Sequence, residues 1–550
     1  MMEKIYELGE TAVVVAWPSV IEVAHLRAIS GLKAALLRHP FLGMGEMVPA
    51  YATLTIFFDP AHLPAHWDNP AADIGAYITQ LLDKMGDNAL PAGNTVTIPV
   101  CYDDAFGPDL EVVAALHQCS KSEVVERHTA RDYTVFMVGF LPGFAYLGGL
   151  DRQIATPRRS SPRLQVAAGS VGIAGEQTGV YPLDAPGGWQ IIGRTPLPVY
   201  RPGAAEWPFL LKTGDTVRFY PISKTAFDQI KPDPAATTPP ISQNLSSPAA
   251  EVIRSGPLAT LQDLGCPGYR AYGVPMSGAL DEPAHRLANA LVGNAPQAAT
   301  IECTMGGLVI TFFTNAVLAV TGGGAALVNQ RPVEHERVIQ LQKNDVLTIE
   351  FHPRGMRTYI AVRGGWDAPD LMGSKSTCRN AQFGDILQKG SNLHIGRAGN
   401  GPIRPLLRSL PPFTDEKKDV FRVIPGPEFE RLTPESQREF YQQTYTIGHR
   451  SDRMGSRLDS APLDLSDQSE LLSTAVTPGT LQRTPDGQLI LLLNDCQTTG
   501  GYPRVGQMAA VDLPQLAQLP PGATVQFAPI TSQRARFLWL QQQKMYELFD

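Results

Sequence analysis

Three arginines stand close together in PRRSSPRL, at Arg158, Arg159 and Arg163, and two more, Arg453 and Arg457, sit four apart in SDRMGSRL. Guanidinium groups bind carboxylate or phosphate bidentately, so this density of arginine points to an anion. The first set runs into QVAAGSVGIAGEQTGVYPLDAPGG. Glycine there lets the backbone approach a ligand and present N–H groups to it, although tight β-turns use the same residues and are the commoner outcome. His128, in ERHTARDYTVF, has a side chain able to move protons near neutral pH, but a single histidine is more often a satisfied structural one. Asp263, Asp281 and Asp495 each follow an apolar segment, where a carboxylate serves a metal, a substrate amide or, by default, a turn. GSKST at Gly373 to Thr377 has a lysine among hydroxyls but not the GxxxxGK[ST] spacing, and TGGGA at Thr321 to Ala325 is no GxGxxG fingerprint. No HExxH, GxSxG or AMKM-type biotinylation tetrapeptide occurs.

The elements that must hold these residues recur along the chain. LKTGDTVRFYPI at Leu211 to Ile222 shares seven of twelve positions with LPPGATVQFAPI at Leu519 to Ile530. QTGVYP at Gln177 to Pro182 is echoed by QTTGGYP at Gln497 to Pro503, GFAYLGGLD by GVPMSGALD, and the Arg159, Arg163, Leu164 spacing by Arg453, Arg457, Leu458. The echoes predict copies of one β-rich module with its chemistry on polar, glycine-bearing loops.

Composition agrees. In 550 residues there are 50 Gly and 47 Pro, which favours short strands joined by turns, and the length suits several domains. Forty-six basic against 53 acidic side chains, with no Lys/Arg-rich tract, argue against nucleic acid. The six cysteines stand singly, without zinc-ligand spacing, and read as small buried hydrophobes. The start carries no signal-like pattern and no long apolar run follows, so a reduced, cytoplasmic protein that makes no use of a membrane is expected.

Along the chain, residues 1–92 alternate strand-like runs (TAVVVAW, YATLTIFFD) with helical periodicity, predicting a small N-terminal α+β domain. Residues 93–224 form a β-rich unit entered through two short helices, 225–250 an unpatterned Pro/Ser/Thr/Ala linker, and 251–400 a second β-rich unit with one strong helix in DEPAHRLANALVGN. A weaker break at 397–419 opens the last module, 401–550.

GFLPGFAYLGGLD, PRRSSPRLQVAAGSVGIAGEQTGVYPLDAPGGWQIIGRTP and TGDTVRF resemble the KipI family, also described as the B subunit of 5-oxoprolinase or allophanate hydrolase subunit 1. LQDLGCPGYRAYGVPMSGALDEPAHRLANALVGN, IECTMGGL, GMRTYIAVRGGWDAPDLMGSKST, SDRMGSRL and LLNDCQTTGGYPRVG resemble KipA, or the C subunit of 5-oxoprolinase. The resemblance implies a mainly β protein with one cyclophilin-like barrel lobe in the first unit and two in the second. It implies part of an ATP-dependent 5-oxoprolinase that opens 5-oxo-L-proline to L-glutamate with a separate A subunit of the LamB/YcsF type. Two other readings come with it: a histidine kinase inhibitor-type binding protein, and a biotin-dependent carboxyltransferase-like domain acting on urea or a related amide. It leaves a homo-oligomer open.

A lactam is a poor electrophile, and phosphorylation of its carbonyl oxygen by ATP creates a leaving group. On the implied reading Arg159, Arg163, Arg453 and Arg457, with Mg²⁺, face phosphoryl oxygens. Backbone N–H groups at Gly169 and Ser170 and the amides of Gln177 and Gln497 serve the developing oxyanion. His128 is the implied general acid/base and Asp495 its alternative, with no protein metal site. Tyr181, Thr498 and Tyr502 from the QT…YP segments and Lys375 from GSKST complete the binding set. After GSKST the family runs through a glycine-rich GG…GR stretch, whereas this chain reads CRNAQFGDILQKGSNL. Either Arg379 replaces the missing arginine or this half has lost a contact.

Overall fold

A computed structural model describes residues 2–84, 93–202, 204, 207–231, 247–353, 355–399, 401–404 and 419–547. At the N-terminus the strands Lys4–Glu7, Ala12–Ala16, Thr53–Phe58 and Met44–Pro49 pair in that order. The helices Val23–Arg38 and Pro70–Lys84 cover one face, because Ile29, Leu32 and Leu36 on the first and Ile74, Ile78 and Leu81 on the second fall on single stripes against Val13, Val15, Leu54 and Ile56. The other face, through Leu8, Val14, Val48 and Phe57, packs on Ala475 of the C-terminal lobe. Burial on both faces explains why AVVVA is apolar throughout rather than alternating.

The next unit is a barrel. Around it run Thr95–Val100, Thr216–Pro221, Asp132–Val138, Ala145–Gly148, Gln177–Val180, Ser170–Ala174 and Gln190–Arg194. The first two are parallel, in register from Thr95 with Thr216 to Val100 with Pro221. Cys101 and Arg194 close the circle by exchanging N–H···O bonds of 2.8 and 2.9 Å. The expected helices are present as Leu110–Leu116 and Lys121–Thr129, and both contribute to the barrel core.

The C-terminal lobe repeats this plan. Its strands run Val420–Pro425, Thr524–Pro529, Tyr445–Ile447, Gly455–Asp459, Leu489–Leu492, Thr480–Arg483 and Arg504–Met508 around a closed barrel. In chain order both barrels read first, seventh, second, third, fifth, fourth, sixth. Each also carries a two-stranded flap inserted at the same points: Arg163–Val166 with Ala185–Gly187, and Thr474–Ala475 with Thr499–Gly500.

This correspondence sorts the sequence echoes. LKTGDTVRFYPI and LPPGATVQFAPI are true counterparts: each supplies the last strand, parallel to the first, and leads to a helix capped by Ser223 or Thr531. The other echoes are not. QTGVYP holds the fifth barrel strand, whose counterpart is Leu489–Leu492, whereas QTTGGYP holds a flap strand whose counterpart is Ala185–Gly187. Arg159 and Arg163 lead into a flap strand, while Arg453 and Arg457 belong to the approach and body of the third barrel strand. GFAYLGGLD contains a barrel strand and GVPMSGALD leads into the helix Glu282–Val292. Turn residues drawn from one small set produce similar strings at different places.

Between the barrels, residues 250–395 build a seven-stranded and a five-stranded sheet around one shared core. Their helix, Glu282–Val292, is capped by the Asp281 carboxylate at Ala284 N–H (3.0 Å) and ends at Gly293, φ 73°. The start of the expected linker is a helix, Lys224–Gln229, whose Phe227 ring lies 4.4 Å from Phe106. Residues 232–246 of that linker, and 405–418 of the second break, lie outside the described residues. Among the described residues no helix is long and apolar enough to cross a membrane, and five of the six cysteines are buried.

Candidate functional site at the junction of the units

Alternation along the first barrel's strands sends Val135 and Leu147 into the barrel core and Phe136 and Tyr146 to its outer face. There Phe144, Tyr146, Tyr181 and Trp189 meet edge to face, with centroids 4.8–5.9 Å apart. Val166 and Ala185 of the flap cover the cluster, and Leu472 of the C-terminal lobe packs on it. Tyr51, from the N-terminal sheet, donates its hydroxyl hydrogen bond to Gln177 Oε1 at 2.5 Å. Burial raises the phenol pKa values of Tyr51, Tyr146 and Tyr181, the last to about 12, and the nearby Arg158 guanidinium opposes the rise in all three. Arg158 is itself exposed and has no carboxylate partner among the described residues. Arg158 is thus a guanidinium without a carboxylate partner close to a buried aromatic floor and the Tyr51–Gln177 pair, and such a group is able to bind a carboxylate.

The neighbouring arginines are committed elsewhere. Asp109, 2% exposed, accepts from Arg159 Nη1 at 3.0 Å and Arg163 Nη2 at 2.6 Å through one oxygen, and from Ile191 N–H at 2.6 Å through the other. The pair braces the flap against the barrel. The proposed oxyanion donors are also occupied: Gly169 N–H bonds Tyr181 C=O at 2.7 Å and Ser170 N–H bonds Ala167 C=O at 3.1 Å. Gly169 is required by its φ of 80° and by the Thr195 carbonyl that an added Cβ would strike.

His128 does not reach a site. It is fully buried, bonded to the Tyr102 hydroxyl at 2.7 Å and the Thr178 hydroxyl at 2.9 Å, and stacked on Phe219 at 4.8 Å. Burial pushes its pKa down to about 3, so it is a neutral core residue rather than an acid/base.

In the second unit Arg453 joins two lobes. Its guanidinium donates to both Asp495 oxygens at 3.0 Å, to Glu302 Oε1 at 2.5 Å and to Gly278 C=O at 2.6 Å, all out of water. Burial raises the Asp495 pKa more than Arg453 lowers it, while at Glu302 burial is outweighed by Arg453 and Arg357 together with hydrogen bonds from the Tyr359 hydroxyl and Leu280 N–H, and the pKa is lowered. Asp495 is therefore a structural anchor with both oxygens engaged. Arg457 is exposed on its strand, away from this cluster.

The QTTGGYP segment meets the first unit. Gln497 donates to Gln482 Oε1 at 3.3 Å, the buried hydroxyls of Thr498 and Thr499 have no protein partner, and Tyr502 is 45% exposed. A Cβ on Gly139 would collide with Thr499, and one on Gly273 with the Leu141 carbonyl. Gly143 N–H bonds Tyr272 C=O at 2.8 Å. The GFLPGF loop is thus held between residues 272–273 and 499. Sequence patterns missed Tyr51, Glu46 and Arg504, which fasten this junction: Glu46 pairs with Arg270 at 2.6 Å, and Arg504 pairs with Glu428 at 2.7 Å and reaches the Tyr6 hydroxyl. These partners are 76 to 498 residues apart in sequence, beyond any local signal.

Lys375 lies in neither cluster. Ser374 and Ser376 donate inward to Asp263, at 2.7 and 2.5 Å, so the loop does not present hydroxyls to a phosphate in the manner of a P-loop. The Lys375 ammonium pairs with Asp367 at 2.6 Å on the wall of a cleft of about 1130 Å³.

Residues 3–211 match the family described as carboxyltransferase domain, subdomain C and D, and residues 272–529 match carboxyltransferase domain, subdomain A and B. The chain is 41% identical over 232 residues to the 5-oxoprolinase B subunit of Bacillus subtilis, covering 42% of this chain and 96% of that protein. It is 35% identical over 307 residues to the 5-oxoprolinase C subunit of Escherichia coli, covering 54% and 96%. Urea amidolyase of Lachancea kluyveri is 32% identical over 318 residues, 53% of this chain but 17% of that protein. A crystal structure of TTHA0988 superposes with a TM-score of 0.79 at 31% identity, covering 94% of this chain and 99% of that one. Fold and matches together define a carboxyltransferase-domain protein with both subdomain pairs on one polypeptide. The chain belongs to the KipI/KipA family of 5-oxoprolinase B and C subunits, with the B-like unit first and the C-like unit fused behind it.

Proposed function

We propose that this chain is the fused B and C component of an ATP-dependent 5-oxoprolinase, opening 5-oxo-L-proline to L-glutamate with a separate LamB/YcsF-type A subunit. The observation that carries the reading is the near full-length match to a B and a C subunit in succession, with the two units packed through the GFLPGF loop. Fusion keeps both halves at high effective concentration, which suits a site made from both.

In this reading Arg158 takes the substrate carboxylate and the Tyr51–Gln177 pair orients the lactam amide. The aromatic floor and Leu472 keep water from the ring. ATP, with Mg²⁺, supplies the phosphoryl group that makes the lactam oxygen a leaving group. Carboxyl transfer to a urea-like amide is the second reading, supported by the similarity to urea amidolyase; it predicts turnover only with a biotinylated carrier and biotin carboxylase. The test is ADP release on adding 5-oxoproline to a mixture of this chain with the purified A subunit. Stimulation above either protein alone supports the proposal; none, with binding to a histidine kinase instead, favours the inhibitor-type reading.

A further inference from the structure

The large cleft of the C-like unit belongs to none of the groups above. One side is the GSKST loop and the other the segment around residues 379–391, over the paired strands Trp366–Asp367 and Asn392–Ile395. Its cations are Lys375, Arg379 and Lys389, and its carboxylates are Asp367 and Asp385. Arg379 and Lys389 are exposed and make no ion pair among the described residues, and Lys375 has the single partner Asp367.

We propose that this cleft binds a magnesium-complexed nucleoside triphosphate, with Lys375, Arg379 and Lys389 facing its phosphates. The inference rests on the ATP-dependent reading above and assigns the nucleotide to a unit and a place. Size is the first support: about 1130 Å³ is ample for a nucleotide, since ligand clefts run to roughly 300–1000 Å³. Rigidity is the second. Asp263 accepts from Ser374, Ser376, and the Lys375 and Gly265 N–H groups, at 2.5–2.7 Å, which fixes the loop from beneath and leaves the lysine side chain on the cleft wall. Polarity is the third. Lys375 on the loop side and Arg379 and Lys389 on the opposite side are its cations, while Leu371 and Phe383 add apolar lining for a base.

Phosphate oxygens that replace Asp367 as the partner of Lys375 release that carboxylate. Mg²⁺ binds through one or two carboxylates together with phosphate oxygens rather than an all-protein cage, and Asp367 and Asp385 provide those carboxylates. Position is the fourth support. Phe383 belongs to one buried cluster with Leu183 and Tyr200 of the B-like unit, and the Tyr200 hydroxyl donates to Ala381 C=O at 3.4 Å. Leu183 stands two residues beyond Tyr181 of the aromatic face, so cleft wall and aromatic face share the seam between the units.

The test is equilibrium binding of a fluorescent ATP analogue to the full chain, with and without Mg²⁺, for wild type, Lys375→Ala, Lys389→Glu and Asp367→Asn. Each cation variant should bind about tenfold more weakly, as expected for one charge-assisted phosphate contact. Asp367→Asn should bind but lose the Mg²⁺ dependence, and inorganic tripolyphosphate should compete. Lys389 is exposed, so its variant tests the site without disturbing the loop. Wild-type affinity in the cation variants, failure of tripolyphosphate to compete, or no nucleotide binding by the wild-type chain would overturn the assignment. ADP release with the A subunit, measured in parallel, then shows whether the 5-oxoprolinase reading survives its loss.

Discussion

Arg158 and Arg159 are neighbours in sequence with different employment. Arg159 shares a buried carboxylate with Arg163, whereas Arg158 faces three tyrosines without an acid of its own. Arg158→Ala should lower kcat/KM for 5-oxoproline-dependent ADP release by about 10²-fold, the scale of a lost charge-assisted contact to the substrate, with partial recovery in Arg158→Lys. Arg457→Ala, on an exposed strand position, should leave it within about twofold. His128 gives a pH prediction. Its pKa falls from 6.5 unfolded to about 3 folded, so between those values the unfolded chain binds a proton that the folded site refuses. Stability from this residue is therefore present above pH 6.5 and is lost as pH falls, by up to about 1.4 kcal/mol per unit within the window. His128→Gln should lose stability at pH 7.5 but lose less thermal stability than wild type on moving to pH 4.5; parallel pH profiles would contradict this. The sequence disclosed which residue types were present near the flap. It could not disclose their pairings, because Asp109 lies fifty positions from Arg159 and decides which guanidinium is free.

At the scale of elements, the helices up to Glu282–Val292 and the repeated last strand were readable because each is a local pattern, a 3.6-residue stripe or a repeated string, whereas the short helix Lys224–Gln229 fell inside the expected linker. The flap counterparts were misread, since short strings of Gly, Pro and Thr satisfy turns in many settings and only strand order distinguishes them. The close backbone crossings at the seam were likewise invisible. Gly273 has φ 80° and its Cα faces the Leu141 carbonyl, so Gly273→Ala adds both left-handed strain, about 1–2 kcal/mol, and a collision. Amide hydrogen exchange of residues 139–144 should quicken in that variant while the C-terminal barrel strands keep their protection. Unchanged exchange in the GFLPGF loop would mean that this crossing does not hold the units together.

Taken as one molecule, the chain brings the N-terminal sheet, the B-like barrel and the C-terminal lobe to a common junction, and buried ion pairs secure its parts. Arg453 ties the two lobes of the C-like unit, and Arg504 ties the C-terminal lobe to Tyr6. Neither arginine is free for a ligand, and the proposed reaction uses the aromatic face and the cleft beside Lys375 instead. The direct measurement is NMR of uniformly ¹³C-labelled 5-oxoproline incubated with ATP, Mg²⁺, this chain and the A-type subunit proposed as its partner. Labelled glutamate should form with about one ADP per ring opened, and omission of the chain, of ATP or of the A-type partner should stop it. Absence of glutamate from the complete mixture, or ring opening that proceeds without this chain, would contradict the assignment.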